Sequence, residues 1–197
     1  MFLEPLIGKN HHRENKGHIE VVCGSMFSGK TEELIRRLNR ALIAKQKVEI
    51  FKPAMDRRYD YQNVISHNET SIRSTPVHFA NDIILLSGNC DVVGIDEVQF
   101  FDQQIVHVAN VQARAGKRVI LAGLDMDFEG QPFDPMPQLM AIAEYVTKVH
   151  AICMKCGELA SYSFRLSDST EKVMLGEKES YEARCRRCFY EDKKQVI

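Results

Sequence analysis

The 197-residue sequence has no apolar run approaching the length of a membrane span, no internal repeat and no low-complexity tract. It also has no excess of charge, since 26 Lys and Arg residues stand against 27 Asp and Glu residues. No global basic field therefore draws the chain to nucleic acid or to an anionic membrane, and we expect it to bind neither directly. The hydrophobic content of 44% is enough for the core of one medium domain, with or without a small appendage.

The N-terminal residues 1–17 lack the basic start, the apolar segment and the small-residue cleavage site of a secretory signal. We predict that they form a polar extension ahead of the first strand. On the same grounds, we expect the protein to be cytoplasmic.

The segment VVCGSMFSGKTEELIRRL, residues 21–38, contains the pattern G-x-x-x-x-G-K-[ST]. Its glycines let the backbone N–H groups turn toward an anion, and the helix that begins there adds the positive end of its dipole. The segment therefore predicts a nucleoside triphosphate site formed by Gly24, Ser25, Met26, Phe27, Ser28, Gly29, Lys30 and Thr31. In this interpretation Lys30 bridges the β- and γ-phosphates, and the Thr31 hydroxyl is a ligand of Mg²⁺.

The helix predicted after this loop has an apolar face and a charged remainder. The charged residues Glu32, Glu33, Arg36 and Arg37 fall on its other faces. The apolar face is predicted to contain Leu34, Ile35, Leu38, Leu42 and Ile43.

The segment CDVVGIDEVQF, residues 90–100, predicts a buried strand that ends in two carboxylates, as a Walker B strand does. We expect this strand to lie beside the first one, so that its acids face the phosphates. Asp96 would then hold Mg²⁺, and Glu97 would accept a proton from an attacking hydroxyl or water. Kinases and ATPases both need these parts, so the pattern alone does not separate the two classes.

Four of the six cysteines form two Cys-x-x-Cys pairs, and the pairs are separated by 28 residues. Such pairs without metal are mostly redox sites, and those usually have one pair. In a reducing compartment, two pairs favour tetrahedral Zn²⁺ over disulfide bonds, with Cys153, Cys156, Cys185 and Cys188 as the ligands. Cys23 and Cys90 stand beside apolar strand residues, and we expect them to be core residues.

Strand-like and helical segments alternate along the first 149 residues. Further strands are predicted at 48–51 and 118–124, and a helix over 102–117 has apolar positions at Ile105, Val108, Val111 and Ala115 and ends at Gly116. This order predicts an α/β fold of the P-loop NTPase, RecA-like type, with a parallel sheet covered by helices on both faces. We place the nucleotide-binding domain at residues 18–149 and a small zinc-ribbon-like domain with a lasso loop at 150–197.

Five segments, in this order, resemble the thymidine kinase family of bacteria and of the animal cytosol. They are GSMFSGKT, FKPAMDRRY (residues 51–59), DEVQFF (96–101), GLDMDFEGQPF (123–133), and the two cysteine segments CMKCGELASYSFR and ESYEARCRRC. The resemblance extends from about Gly17 to Cys188. It implies an enzyme that uses ATP and Mg²⁺ to phosphorylate the 5′-hydroxyl of thymidine, with a structural zinc. It also implies a homotetramer and feedback inhibition by thymidine triphosphate.

The resemblance further implies roles for individual residues. Glu97 becomes the general base on the thymidine hydroxyl, and Asp56, Arg58, Asp96 and Gln99 join the phosphate side of the site. A lasso over roughly residues 160–182 closes on the nucleoside and reads the base through its backbone. The substrate-binding residues would be Met26, Phe101, Leu124, Phe128, Phe133, Ser163, Arg165, Val173, Gly176 and Tyr181.

Three residues depart from the family pattern. Glu69 stands where glycine is frequent, Ser163 where threonine is common, and Glu129 where bacterial members often have arginine. None of them belongs to the phosphate machinery. Two other functions stay open at this point: a nucleoside monophosphate kinase with a zinc lid, and a zinc-ribbon P-loop ATPase that binds DNA or a protein partner.

Overall fold

The structure is a computed structural model, and it describes residues 17–55, 63–65, 71–166 and 180–193. Within those ranges the helices are α1 (Lys30–Ile43), α2 (Asp82–Leu86), α3 (Gln104–Arg114), α4 (Met136–Ile142) and α5 (Arg186–Lys193), and a 3₁₀ turn covers Val98–Phe100. The strands are β1 (His18–Cys23), β2 (Val48–Pro53), β3 (Asn63–Ile65), β4 (Ser71–Arg73), β5 (Thr75–Val77), β6 (Val92–Ile95), β7 (Arg118–Gly123), β8 (Tyr145–Lys148), β9 (Ala151–Ile152), β10 (Leu159–Ala160), β11 (Tyr162–Arg165) and β12 (Tyr181–Arg184).

The main sheet has six strands in the order β5-β2-β6-β7-β1-β8, and every neighbouring pair is parallel. The predicted parallel sheet is therefore confirmed. The predicted position of the acid-bearing strand was wrong, because β7 lies between β1 and β6. Pairing between strands depends on long-range packing, which the local pattern of β6 does not contain.

Side chains alternate between the two faces of the sheet, and each face is covered by helices. On β1, Val21 and Cys23 join the core that α3 and α4 complete, whereas Val22 joins the core under α1. On β7, Leu121 joins the core on the α3 and α4 side, and Ile120 joins the core under α1. This alternation is what a strand buried on both faces requires, and it confirms helices on both faces.

The apolar face of α1 differs from the predicted one. Its buried apolar residues are Leu34, Ile35, Leu38 and Ala41. Leu42 and Ile43 are 47% and 81% exposed, because they are one and two helical steps beyond Ala41 and turn away from the sheet. Arg37, predicted on an outer face, is 1% exposed.

Arg37 is buried because β1 supplies a carboxylate for it. Its Nη1 donates to Oε2 of Glu20 at 2.7 Å, and Nε of Arg118 donates to the other oxygen at 2.5 Å. Burial by itself raises the pKa of Glu20, but hydrogen bonds from His18 and Arg118 and the charges of Arg118 and Arg37 outweigh it and lower that pKa to about 2. Glu20 is therefore an ionised carboxylate inside the protein.

The predicted helix over residues 102–117 is confirmed as α3, but one of the four positions predicted for its apolar face is wrong. Ile105 and Val108 are buried and Val111 is half-buried, but Ala115 is exposed and lies beyond the last helical residue. The fourth buried position is polar, since Gln112 Nε2 donates to Ser87 Oγ at 2.7 Å. The strand predicted over 90–100 is limited to the four residues of β6, because the chain turns into the 3₁₀ helix at Val98.

Helix α4 and strand β8 were not predicted. Strand β8 has the sequence YVTK and is largely exposed, so it lacks the apolar signal of a buried strand. It pairs with β1, and Tyr145 is opposite Glu20. No helix within the described part of the chain is long and apolar enough to cross a bilayer.

The residues 150–166 and 180–193 form a C-terminal unit. Its strands make two antiparallel pairs, β9 with β10 and β11 with β12. Tyr162 stacks on Phe189 with ring centroids 4.5 Å apart, which attaches α5 to β11. The Leu166 N–H donates to the Ser180 carbonyl at 3.0 Å, which joins the two described parts of this unit.

Candidate functional site

The loop between β1 and α1, residues 24–29, is curled around the Ser25 carbonyl. Ser28 Oγ donates to that carbonyl oxygen at 2.7 Å, and Lys30 Nζ donates to it at 2.9 Å. Because α1 begins at Lys30, the positive end of its dipole lies at this loop. The geometry is that of an anion-binding loop at a helix N-terminus.

Thr31, in the first turn of α1, and Asp96, just after β6, meet although β1 and β6 are not neighbours in the sheet. Thr31 Oγ1 donates to Asp96 Oδ2 at 3.1 Å. Helix α1 lies close over β6 because position 94 is glycine: a Cβ on Gly94 would come within 2.8 Å of Leu38 Cδ1. The helix crosses β7 and thereby brings its first turn to the end of β6.

The environment of Asp96 fits a divalent cation. Asp96 is buried, and burial together with the neighbouring charge of Glu97 raises its pKa to about 7. A cation would offset both effects and favour the ionised carboxylate. A hydroxyl and a carboxylate oxygen are also hard ligands of the kind Mg²⁺ prefers, so Thr31 and Asp96 suit that ion.

Glu97 is held by Gln99. Glu97 has a left-handed backbone, with φ of 49°. Gln99 Nε2 donates to Glu97 Oε2 at 2.5 Å, while Gln99 Oε1 accepts the backbone N–H of Leu124 at 2.9 Å. The buried Gln99 amide thus connects the Glu97 carboxylate to the loop after β7. From the sequence, Gln99 was predicted to lie on the phosphate side of the site.

The loop after β7, residues 123–133, is shaped by one aspartate. Asp127 Oδ1 accepts the N–H groups of Glu129 and Gln131, at 3.0 and 2.9 Å. Phe133 is 8% exposed and meets Phe100 edge to face, at 6.3 Å between ring centroids. Glu129, one of the residues that depart from the family pattern, is exposed.

Three of the predicted nucleoside residues form one cluster. The Arg165 guanidinium lies over the Phe128 ring, 3.6 Å from its centroid. Its Nη2 and Nε donate to the Tyr181 hydroxyl at 2.7 and 3.1 Å. Arg165 and Tyr181 lie opposite each other on β11 and β12, so the hairpin holds the pair in register. The cluster joins the loop after β7 to the C-terminal unit.

Ser163 contacts the P-loop. Its hydroxyl accepts the backbone N–H of Met26 at 3.0 Å. Phe101 and Leu124 contribute a buried and a half-buried side chain at the carboxyl edge of the sheet. The predictions for Asp56, Arg58, Glu69, Val173 and Gly176 fall outside the described residues.

The four paired cysteines come together as predicted. Their sulfur atoms all lie within 4.8 Å of one another, and those of Cys156 and Cys185 are 3.6 Å apart. A tetrahedral zinc site with Zn–S bonds of about 2.3 Å places its sulfurs about 3.8 Å apart. The four thiols therefore fit a zinc ion. Cys23 and Cys90 are buried away from this group, which confirms that they are core residues.

The ionisation of these thiols also favours a cation. Burial raises the pKa of Cys153, but backbone N–H groups of Cys185, Lys155 and Cys156 outweigh it and lower that pKa to about 6. Burial and the neighbouring sulfurs raise the pKa of Cys188 to about 12. Cys153 thus loses its proton readily, and its negative charge disfavours ionisation of the neighbouring thiols. A bound Zn²⁺ would remove this repulsion between thiolates.

Sequence reasoning missed a charged pair beside the P-loop. Lys148 Nζ and Asp125 Oδ2 are 2.6 Å apart, and Asp125 is 6% exposed. Lys148 is the register partner of Cys23, the last residue of β1. The sequence does contain a signal for the acid, because Asp125 follows the buried strand β7 as Asp96 follows β6.

Comparison with known proteins identifies relatives across nearly the whole chain. A family model described as thymidine kinase matches residues 17–189. The chain is 60% identical over 189 residues to the thymidine kinase of Rhodothermus sp. (strain ITI 518), covering 96% of this chain and 88% of that protein. It is 56% identical over 186 residues to the thymidine kinase of Bacteroides thetaiotaomicron, covering 93% of this chain and 94% of that protein.

Solved structures provide a more distant likeness. AMPPCP-bound DnaA from Aquifex aeolicus matches with a TM-score of 0.45 and 15% sequence identity. The match covers 76% of this chain and 52% of that one, so the chain spans about half the length of that protein.

Proposed function

Because the chain belongs to the thymidine kinase family, we propose that its site transfers the γ-phosphoryl group of ATP to the 5′-hydroxyl of thymidine. The chain is a phosphotransferase that acts on thymidine. One observation supports the proposed arrangement above the others. The Glu97 carboxylate stands beside the Thr31–Asp96 pair and is tied through Gln99 to the loop that carries Leu124, so it lies between the phosphate side and the nucleoside side.

The P-loop residues Gly24–Thr31 bind the triphosphate. Backbone N–H groups of the loop and the N-terminus of α1 attract the phosphate oxygens, and Lys30 adds a full positive charge. Thr31 and Asp96 would hold Mg²⁺, which when bound neutralises charge on the β- and γ-phosphate oxygens. Asp56 and Arg58 are proposed to act on the same side.

Glu97 acts as the general base. It removes the proton of the 5′-hydroxyl as the bond from that oxygen to the γ-phosphorus forms, and the bond from the γ-phosphorus to the β–γ bridging oxygen breaks. The proton moves to Glu97 and the electron pair leaves with ADP. Gln99 holds the carboxylate in one orientation, because its other end is fixed on the Leu124 N–H.

The thymidine lies between the loop after β7 and the C-terminal unit. Flat and soft side chains suit a planar base, and the proposed pocket is lined by Met26, Phe101, Leu124, Phe128, Phe133 and Tyr181. Arg165 stabilises this pocket through its contacts with Phe128 and Tyr181. Ser163 contributes through the Met26 backbone.

Residues 160–182, including Val173 and Gly176, are proposed to act as the lasso that covers the nucleoside. The hydrogen bond between Leu166 and Ser180 supports this proposal, since it brings residues 166 and 180 of the segment together. Zinc, when bound by the four cysteines, joins the two knuckles on either side of the segment. From family membership we further propose a cytoplasmic homotetramer that thymidine triphosphate inhibits.

The acceptor can be tested by comparing what stimulates ADP formation from ATP and Mg²⁺. We expect thymidine to stimulate it and to become phosphorylated, with thymidylate and single-stranded DNA having little effect. Stimulation by thymidylate would instead indicate a nucleoside monophosphate kinase. Stimulation by DNA without phosphorylation of thymidine would indicate an ATPase. Deoxycytidine serves as the matched nucleoside control, because it has an amino group where thymine has a carbonyl oxygen.

A further inference from the structure

Consecutive residues of the P-loop contact the C-terminal side of the chain. A Cβ on Gly24 would lie 2.3 Å from the Val149 carbonyl oxygen, so the backbones touch there. Ser25 Oγ donates to the Ala160 carbonyl at 3.5 Å, and the Met26 N–H donates to Ser163 Oγ at 3.0 Å. Residues 24–26 are therefore held from outside the nucleotide-binding sheet.

Phe27 makes the most unusual of these contacts. Its φ is 63°, a left-handed conformation that a bulky side chain adopts only when its surroundings impose it. Its half-buried side chain packs against the cluster formed by Ala151, Cys153, Ala160, Ala183 and Cys188. Two members of that cluster are cysteines of the metal site. The strained residue of the P-loop thus packs against a cluster that contains two of the four metal-site cysteines.

Within the loop, the Ser28 hydroxyl and the Lys30 ammonium both donate to the Ser25 carbonyl, so these two bonds act on residue 25. The conformation of Phe27 determines the direction of the backbone at the tip, and with it the N–H groups that face the phosphates. An unanchored tip would have to be ordered by the nucleotide itself, at the expense of binding affinity.

We propose that Phe27 is a positioning residue through which the four-cysteine unit holds the P-loop in its phosphate-binding conformation. The C-terminal unit then sets the affinity for ATP, in addition to its proposed role in covering the nucleoside. This proposal rests on the proposed function in one respect, namely that the P-loop binds ATP.

The test measures binding of a non-hydrolysable ATP analogue by calorimetry, together with the zinc content of each protein. With full zinc content, Phe27→Ala is expected to raise the dissociation constant of the analogue about tenfold or more, since the tip loses its anchor. Phe27→Leu keeps an apolar side chain of similar reach and should stay within about threefold of wild type. Tyr190→Ala is the matched control, because Tyr190 packs on Phe189 in the same C-terminal unit and is 43% exposed.

The coupling to the metal is tested by removing zinc from wild type and from Phe27→Ala with a chelator. Zinc removal should weaken analogue binding by wild type and should have little further effect on Phe27→Ala, because both changes remove the same anchor. Fully additive effects would overturn the proposal, and so would wild-type affinity in zinc-loaded Phe27→Ala. Failure of the wild-type protein to bind the analogue would contradict the proposed function instead.

Hydrogen exchange in the unmodified protein keeps the test independent of how the variants fold. Amides 24–28 should exchange faster after zinc removal, while amides of β7 stay protected. Unchanged exchange at 24–28 in the zinc-free protein would also overturn the proposal.

Discussion

Gln99 donates a hydrogen bond to Glu97 across 2.5 Å and at its other end accepts the N–H of Leu124. The oxygen and the nitrogen of the Gln99 amide are both held in place, because Gln99 is only 3% exposed. The carboxylate proposed as the general base is therefore attached to the loop that carries the nucleoside pocket, and movement of one requires movement of the other.

Replacing Glu97 with Gln tests the general base. The amide keeps the size and polarity of the side chain but does not accept the proton, so kcat should fall by roughly 10²–10⁴ while thymidine binding is retained. Steady-state kinetics and calorimetry measure the two effects. Glu129→Gln, at an exposed position of the loop after β7, is the control and should behave as wild type. A folded Glu97→Gln protein with near-normal kcat would contradict the assignment.

Replacing Gln99 with Met tests whether the base must be positioned. The thioether fills a similar volume but makes neither hydrogen bond, so we expect kcat to fall about 10–100-fold with a smaller change in the KM for thymidine. Leaving the Leu124 N–H without its acceptor should also lower the free energy of unfolding by about 1–3 kcal/mol. Gln104→Met, on the exposed first turn of α3, is the matched control. Wild-type kcat in Gln99→Met would show that Glu97 needs no such support.

Glu20→Gln tests the buried ion pair under α1. Replacing the carboxylate removes the negative charge that Arg37 and Arg118 both contact. We therefore expect the free energy of unfolding at pH 7 to fall by about 3–5 kcal/mol. The folded pKa of Glu20 is lowered from 4.5 to about 2. Its contribution is therefore present above about pH 4.5 and is lost as the pH falls through about 2.

The wild-type and Glu20→Gln proteins should accordingly differ by a constant amount from pH 7 to about pH 4.5, and should then converge in stability as the pH is lowered from 4.5 toward 2. Urea unfolding at several pH values measures this, with Glu129→Gln as the exposed control. A constant difference between the two proteins over that range would rule out a lowered pKa for Glu20.

Metal analysis tests the four-cysteine site. We expect one zinc per chain, with X-ray absorption showing four sulfur ligands at about 2.3 Å. Cys188→Ser should lose the metal and unfold at a lower temperature, whereas Cys90→Ala, at a buried cysteine outside the group, should keep it. Stoichiometric zinc in Cys188→Ser, or an exchangeable water ligand in wild type, would contradict a closed structural site.

Several parts of the site were predictable because their information is local. The P-loop pattern, the acids after β6 and the two cysteine pairs each lie within a few residues, and such spacing determines backbone geometry wherever the segment is placed. The parallel sheet followed from buried strands alternating with helices. Strand β8 was missed because a short, exposed edge strand has no apolar signal.

By itself the sequence determined which chemical groups are present and which of them act together over a short span: an anion-binding loop, two adjacent carboxylates and four thiols. Only the tertiary structure decided how these pieces meet. It placed β7 between β1 and β6 while α1 carried Thr31 to Asp96, and it turned Arg37 inward to Glu20. It also packed Phe27 against the cluster that contains Cys153 and Cys188. The physical reason is that these contacts join segments tens of residues apart, and they depend on how strands pair and helices cross rather than on local spacing.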